Sequence, residues 1–164
     1  RPQGAEAESY RSLMPAYYPA NQTLASVSEL RSVKGMTEPV FEALAPLVTV
    51  WPGNGSDLNV LTATLPLMRT LAAGDSLEPL SQADGELMIQ GREQGDWDSI
   101  EALLSLPVFT GQDTADVEAL ITQHSDWFLL AAQVNIADRE LRLYSVLERK
   151  QRSISTYYRS LGAL

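Results

Sequence analysis

Any site chemistry in this chain has to come from carboxylates, because cysteine is absent and histidine occurs once, at His124. Glu6 and Glu8, in Gly4-Ala5-Glu6-Ala7-Glu8, stand two residues apart in a stretch expected to be a loop. That spacing lets both carboxylates face one hard cation such as Ca²⁺. Ca²⁺ takes about six to eight oxygens, so spacing alone favours reading the pair as solvated surface charge. Asn54 and Asp57, in Gly53-Asn54-Gly55-Ser56-Asp57, could add oxygens, although Asx turns and glycine freedom account for the same residue types.

Other chemistries fail on composition. A lone His124 excludes histidine metal clusters, and a Ser-His-Asp triad resting on it would lack a Gly-x-Ser-x-Gly elbow. Its ordinary role is at the end of a preceding helix, beside the negative end of the dipole. Asp96 and Asp98 flank Trp97, a pattern that can suggest glycoside chemistry. Before Ser99 they read as helix caps, with Trp97 as a core or interface anchor. Asn21-Gln22-Thr23 and Asn54-Gly55-Ser56 satisfy the glycosylation sequon. No catalytic residues are assigned, and the chain is not expected to be an enzyme.

The chain has 164 residues, of which 45% are hydrophobic and 20% charged, the composition of a globular protein with one core or two small lobes. Twenty-one acidic against 12 basic side chains give a formal charge of -9, which repels a phosphate backbone and favours protein partners or cations over nucleic acid. No apolar run reaches the roughly 20 residues of a membrane helix. The chain opens Arg1-Pro2-Gln3-Gly4 without an initiator methionine. It therefore reads as a trimmed piece in which an upstream anchor or signal would not be visible.

The elements that would position these residues fall into two regions, 1–110 and 111–164. Periodicity and caps predict short helices near Ser28–Lys34, Glu38–Ala45, Ala63–Ala72, Glu78–Arg92 and Ser99–Leu104. Ser26 or Ser28 caps the first, Gly35 ends it with a positive φ, and Thr37 caps the second with Pro39 in its first turn. Leu30, Val33, Val40, Phe41, Leu44 and Leu47 would form the shared core of this hairpin, and Asp57–Ala63 reads as a further helix start. Gly85 weakens the long central helix by about 1 kcal/mol relative to alanine. After a last helix over Thr114–Gln123, capped by Thr114, the texture becomes β. Trp127–Val134 is an apolar run, Leu141–Arg149 alternates with period two, and Ser153–Arg159 alternates again, which predicts an antiparallel meander. The fold class expected is α+β, an orthogonal helical lobe followed by a C-terminal three-stranded antiparallel sheet. One apolar face of that sheet needs a cover that the preceding helix cannot supply.

Val27-Ser28-Glu29-Leu30-Arg31 with Lys34-Gly35-Met36-Thr37, then Leu44-Ala45-Pro46 with Val48-Thr49-Val50, then Leu58-Asn59-Val60 with Thr62-Ala63, resemble the type II secretion system protein K family of minor pseudopilins. Gly4-Ala5-Glu6 with Tyr10, Tyr18-Pro19-Ala20-Asn21, Phe128 and Tyr144-Ser145-Val146 extend the resemblance along essentially the whole chain. The family commonly shows a second asparagine where this chain has Leu61.

The resemblance implies a pilin-like fold, a long N-terminal helix over an antiparallel sheet with a large helical domain inserted in it. This chain would hold the later part of the inserted domain and the last sheet strands. It implies a non-enzymatic component at the tip of a periplasmic pseudopilus, anchored in the inner membrane by an N-terminal helix outside this chain. The implied partners are the minor pseudopilins I and J, with exported substrates as a further class, and no nucleic acid. It also implies Ca²⁺ in the inserted domain, with Glu6 of the Gly-Ala-Glu motif as a ligand, Glu8 as a second candidate, and further acidic ligands upstream of Arg1.

Two rival readings come from other classes. Helix-hairpin-helix modules bind nucleic acid through a Leu-x-x-φ-x-Gly-φ turn, where φ is apolar, but here the second glycine is missing and Glu38 stands where phosphate would approach. A calcium-binding adaptor with no role in secretion is the other. Arg139, Arg142, Arg149, Lys150, Arg152 and Arg159 gather positive charge near the C-terminal strands, either orienting a protein contact or guarding strand edges.

Overall fold

The computed structural model describes residues 6–19, 21–55, 57–72 and 78–162. The chain forms two compact units, Arg1–Gly55 and Ser56–Leu164. No helix among the described residues is long and apolar enough to cross a membrane.

The first unit consists of short turns: α1 (Ala7–Arg11), a 3₁₀ segment Val27–Ser32, α2 (Glu38–Leu44) and a 3₁₀ turn Ala45–Leu47. Ser26 and Glu29 form a capping box, the serine oxygen accepting the Ser28 amide while the glutamate accepts the amides of Ser26 and Ala25. Gly35, at φ +90°, reverses the chain as expected, and Pro39 sits in the first turn of α2. Thr37 makes no side-chain cap.

The expected hairpin core does not form. None of Leu30, Val33, Val40, Phe41, Leu44 and Leu47 is buried, and Val33 and Val40 are exposed. The reason is geometric, since a six-residue 3₁₀ segment and a seven-residue helix present too little surface to enclose six apolar side chains. Order in this unit comes from tyrosines. Tyr10, its one buried hydrophobic among the described residues, packs its ring 5.3 Å from Tyr17, and the Tyr17 hydroxyl donates to the Ser32 carbonyl. Arg31 lies 3.8 Å over the Phe41 ring and pairs with Glu38, tying the two helical segments together.

The second unit holds the true core. Its elements are β1 (Leu58–Asn59), α3 (Leu65–Met68), α4 (Gln82–Gln94), α5 (Ile100–Leu104), a 3₁₀ turn Pro107–Phe109, α6 (Ala115–Glu118), β2 (Ile121–Thr122), and the strands β3 (Trp127–Ile136), β4 (Arg139–Lys150) and β5 (Ser153–Leu161). Val60, Met68, Met88, Trp97, Leu103, Phe109, Val117 and Ile121 are buried together. Residues beyond 110 thus close the helical core.

Several expected elements are shorter than the periodicity suggested. The helix foreseen over Ala63–Ala72 is confined to Leu65–Met68, the central helix starts at Ser81, whose hydroxyl accepts the Asp84 amide, and Asp57–Ala63 is β1 and a turn rather than a helix start. The helix foreseen over Thr114–Gln123 stops at Glu118. Tertiary pairing overrides it: β2 runs parallel to β1, with Leu58 opposite Ile121 and Asn59 opposite Thr122. Thr114 makes no side-chain cap, and the Asp113 carboxylate accepts the Ala115 amide instead.

The α4 helix shows why its glycines are there. A Cβ at Gly85 would come within 2.7 Å of Arg69 Cγ and Leu65 Cδ1, so glycine lets α3 lie against α4. Arg69 cannot simply swing away, because its Nε donates to the Leu80 carbonyl at 2.7 Å. Gly95, at φ +77°, ends α4 with the 6→1 and 5→2 bonds of a Schellman motif, Asp96 N to Gly91 O and Gly95 N to Arg92 O. The turn drops Trp97 into the core, where its indole donates to the Met88 carbonyl at 3.0 Å.

Two stability measurements follow. Gly85→Ala should destabilise the chain by about 1–3 kcal/mol in urea unfolding, because the overlap outweighs the helix propensity gained; a stabilised variant would show that α3 does not approach α4 this closely. At α5, hydrogen bonds from its own backbone amide and then from Ser99 hold the Glu101 carboxyl below its ordinary value. A lowered folded-state pKa gives stability that is present above the ordinary carboxylate range and lost as pH falls through the lowered value. Glu101→Gln should therefore be less stable than the parent at neutral pH, with the two converging in acid.

Candidate assembly surface

The described residues gather no catalytic constellation and no group of three or more His, Asp or Glu side chains able to hold a metal ion. What they do present is a three-stranded sheet with many exposed apolar side chains. β3, β4 and β5 form an antiparallel meander in that order, as the alternation predicted. Trp127 stands opposite Glu148 and Ile136 opposite Arg139, while Leu143 stands opposite Leu161 and Arg149 opposite Ile154.

Because side chains alternate, this register decides which residues share a face. Phe128, Leu130, Val134 and Ile136 fall on one side with Leu141, Leu143 and Leu147 of β4 and Ile154 and Leu161 of β5, and Arg139, Arg149 and Arg159 lie on the same side. Many of these are well exposed, Val134 at 52%, Leu141 at 54%, Ile154 at 66% and Leu161 at 76%. The opposite face mixes Leu129, Ala131, Tyr144, Val146 and Tyr158 with Gln133, Asn135, Ser153, Ser155 and Ser160, and it carries charged pairs along β4, Glu140 with Arg142 and Glu148 with Lys150 at 2.9 Å. The carboxylate of Glu140 raises the pKa of Arg142 by hydrogen bonding first and by charge second. An aromatic corner, Trp127 edge-on to Tyr157 at 5.2 Å, completes that face.

The basic side chains near these strands do not make a uniform patch. Arg142 and Lys150 are paired with carboxylates, Arg149 bonds Asp126 at 3.2 Å and lies 6.0 Å over Phe128, and Arg159 donates to Ser145, which is 1% exposed. At the entrance to the sheet His124 lies between Thr122 and Asp126. His124 Nδ1 lies 3.0 Å from the threonine hydroxyl and Nε2 lies 3.8 Å from the carboxylate. His124 therefore follows a strand, not the helix end expected for it, because α6 ended early.

The other candidates are dispersed. Glu6 is the residue before α1, in extended conformation, and Glu8 lies in the first turn; both are exposed. Gly4 and Ala5 of their motif lie outside the described residues. Gly55 closes the expected turn, its amide donating to Pro52 at 3.0 Å. Trp97 is the core anchor foreseen, but neither flanking aspartate caps α5: Ser99 does, accepting the Ala102 amide at 3.1 Å. Asn59 is the residue whose role sequence reasoning missed. Its side chain accepts the Leu61 amide at 3.0 Å and donates to Ser125 at 2.9 Å, linking β1 to the approach to the sheet. An asparagine at the start of an Asx turn was the available signal.

Residues 1–53 match the family model for type II secretion system (T2SS), protein K. The chain is 30% identical over 159 residues to the type II secretion system protein K of Klebsiella pneumoniae, covering 97% of this chain and 48% of that protein. It is 34% identical over 163 residues to the protein of the same name in Pseudomonas aeruginosa, covering 98% of this chain and 45% of that protein. Its fold is similar to a chain in the crystal structure of the GspK-GspI-GspJ complex from the type 2 secretion system of enterotoxigenic Escherichia coli, with a TM-score of 0.69 at 21% identity, covering 98% of this chain and 56% of that chain. The chain spans about half the length of the relatives it matches.

If the apolar face is as open as the register indicates, this chain alone should enhance the fluorescence of an apolar-surface dye. The cross-strand pair Val134→Lys with Leu141→Glu should reduce that signal while leaving the far-ultraviolet circular dichroism unchanged. An unchanged dye signal would mean that the face is already covered.

Proposed function

From its membership of the type II secretion system protein K family, we propose that this chain is the later part of a minor pseudopilin acting at the tip of a periplasmic pseudopilus to support protein export. The observation that carries this reading is identity of 30% or more to protein K along nearly the whole chain. The geometry supports it in kind. A sheet with a run of exposed aliphatic side chains on one face suits a part whose work is association.

In this reading the protein is not an enzyme. Its partners are the minor pseudopilins I and J, by analogy with the complex whose K component shares this fold. Exported substrates are a further partner class. The full-length protein is held in the inner membrane by a helix outside this chain and projects into the periplasm. Its pilin-like sheet is covered on the apolar face by that same helix, which removes the exposed leucines and isoleucines from water at about 25 cal/mol per Å².

Calcium belongs to the same proposal, with Glu6 and Glu8 as ligands. The fit is partial. Two exposed carboxylates at the head of a five-residue helix are well short of the six to eight oxygens that Ca²⁺ takes, so the remaining donors would come from outside the described residues.

Light scattering after size exclusion, on this chain mixed with a purified complex of pseudopilins I and J, tests the reading. A stable heterotrimer with this chain or with the full-length protein is expected. Failure of both to associate would sink the assembly role. Chelator should lower the melting temperature of the full-length protein, and Glu6→Gln should abolish that dependence; a calcium response unchanged in the variant would remove Glu6 from the site.

A further inference from the structure

The chain has four asparagines, Asn21, Asn54, Asn59 and Asn135, and their surroundings set very different chemical lifetimes. An asparagine side chain is lost when the amide nitrogen of the next residue attacks its carbonyl carbon. The attack needs exposure, a backbone that opens locally and a small following residue. Asn54 alone is followed by glycine. Asn54 and Gly55 are both exposed and lie outside every described helix and strand. A Cβ at Gly55 would meet nothing within 4 Å, and φ +84° is a conformation that glycine adopts freely. The Gly55 amide is held by the turn bond to the Pro52 carbonyl at 3.0 Å, so a single local opening frees the attacking nitrogen.

The other three are hindered. Val60, after Asn59, is fully buried, and its amide donates to the Thr122 carbonyl at 2.9 Å. Asn135 lies within β3 and precedes the β-branched Ile136. Asn21 is exposed, but the residue whose nitrogen would attack is Gln22, with a full side chain. The related pair Asp84-Gly85 lies inside α4, where glycine is buried and its amide donates to the Ser81 carbonyl at 3.1 Å.

We propose that Asn54 is a self-modification site, converted without an enzyme to aspartyl and isoaspartyl forms in the folded protein. The Gly55 nitrogen loses its proton to solvent and bonds to Cγ of Asn54. The bond from Cγ to Nδ2 breaks, and the leaving nitrogen takes up one proton to depart as ammonia. A succinimide ring remains, and one water opens it. Opening at Cγ gives aspartate, whereas opening at the main-chain carbonyl gives isoaspartate, with the chain now running through Cγ. Loss of ammonia makes the change one-way. Either product adds a carboxylate to a chain already at a formal charge of -9, and isoaspartate lengthens the main chain by one methylene. Both changes fall where the first compact unit ends, at Gly55, apart from buried Tyr10 and from the buried cluster that begins at Val60. Each unit therefore keeps its fold while the segment joining them is altered. The inference rests on this local chemistry and not on family membership or the tip role.

Ageing the purified full-length protein in heavy-oxygen water at mildly alkaline pH, with sites resolved by peptide fragmentation in a mass spectrometer, tests it. Asn54 should gain one heavy oxygen at least about tenfold faster than Asn21, Asn59 or Asn135, because local opening is easiest there. An isoaspartyl methyltransferase should label the same peptide. Gly55→Ala places a methyl beside the attacking nitrogen and disfavours the positive φ, so it should slow the gain at least about fivefold. Asn54→Asp, which carries one of the two products, should melt with the parent. Equal rates at the four asparagines, or an unchanged rate in Gly55→Ala, would overturn the proposal. A lowered melting temperature in Asn54→Asp would overturn the claim that the fold survives conversion.

Discussion

The second unit depends on one short parallel pairing. Leu58-Asn59 and Ile121-Thr122 lie far apart in sequence, yet the Leu58 amide reaches the Leu120 carbonyl at 2.8 Å and the Val60 amide reaches the Thr122 carbonyl at 2.9 Å. This closes a long loop, and the entropy of closing it is offset by what lies inside. Val60 and Ile121, at the two ends of the closure, are both buried in the cluster that holds Met68, Met88, Trp97 and Leu103. The pairing also fixes where β3 begins, because a few residues after Thr122 the chain is already in the sheet.

Around that closure the polar groups are used mainly for internal work. Arg92 donates to the carbonyls of Val60 and Ala63 at 2.9 Å each, and Arg69 donates to Leu80, so two cations of the helical part stabilise the chain's own carbonyls. Asn59 and Ser125 bridge β1 to the approach to the sheet, and Asp126 holds Arg149 by both main chain and side chain. Exposed ion pairs of this kind are individually weak. Their value here lies in setting the direction in which the sheet leaves the helical core.

The sheet in turn separates two tasks. One face carries carboxylate and basic partners two residues apart along β4, beside Trp127, Leu129 and Tyr158. The other carries a run of exposed aliphatic side chains, and a three-stranded meander that leaves such a run open is marginal by itself. The relatives are about twice as long as this chain, so in them there is chain enough to cover those side chains.

Period-two alternation over Leu141–Arg149 and Ser153–Arg159, the apolar run from Trp127 and the glycine at position 35 were legible in the sequence because each is a local preference that the fold leaves in place. So was Trp97 as an anchor, since a lone large aromatic between turn residues has few other uses. The tertiary structure decided the rest. The expected hairpin core over Leu30–Leu47 failed because short helical turns cannot enclose their own apolar residues, and the burial went instead to Val60 through Ile121. The helix expected over Thr114–Gln123 yielded its last residues to a strand whose partner lies far upstream, which no local periodicity records. Glycine at position 85, costly by propensity, is explained only by the approach of Leu65 and Arg69. Local sequence determined which segments could be helix or strand, whereas the contacts available at a distance determined how long each one is and which face it buries.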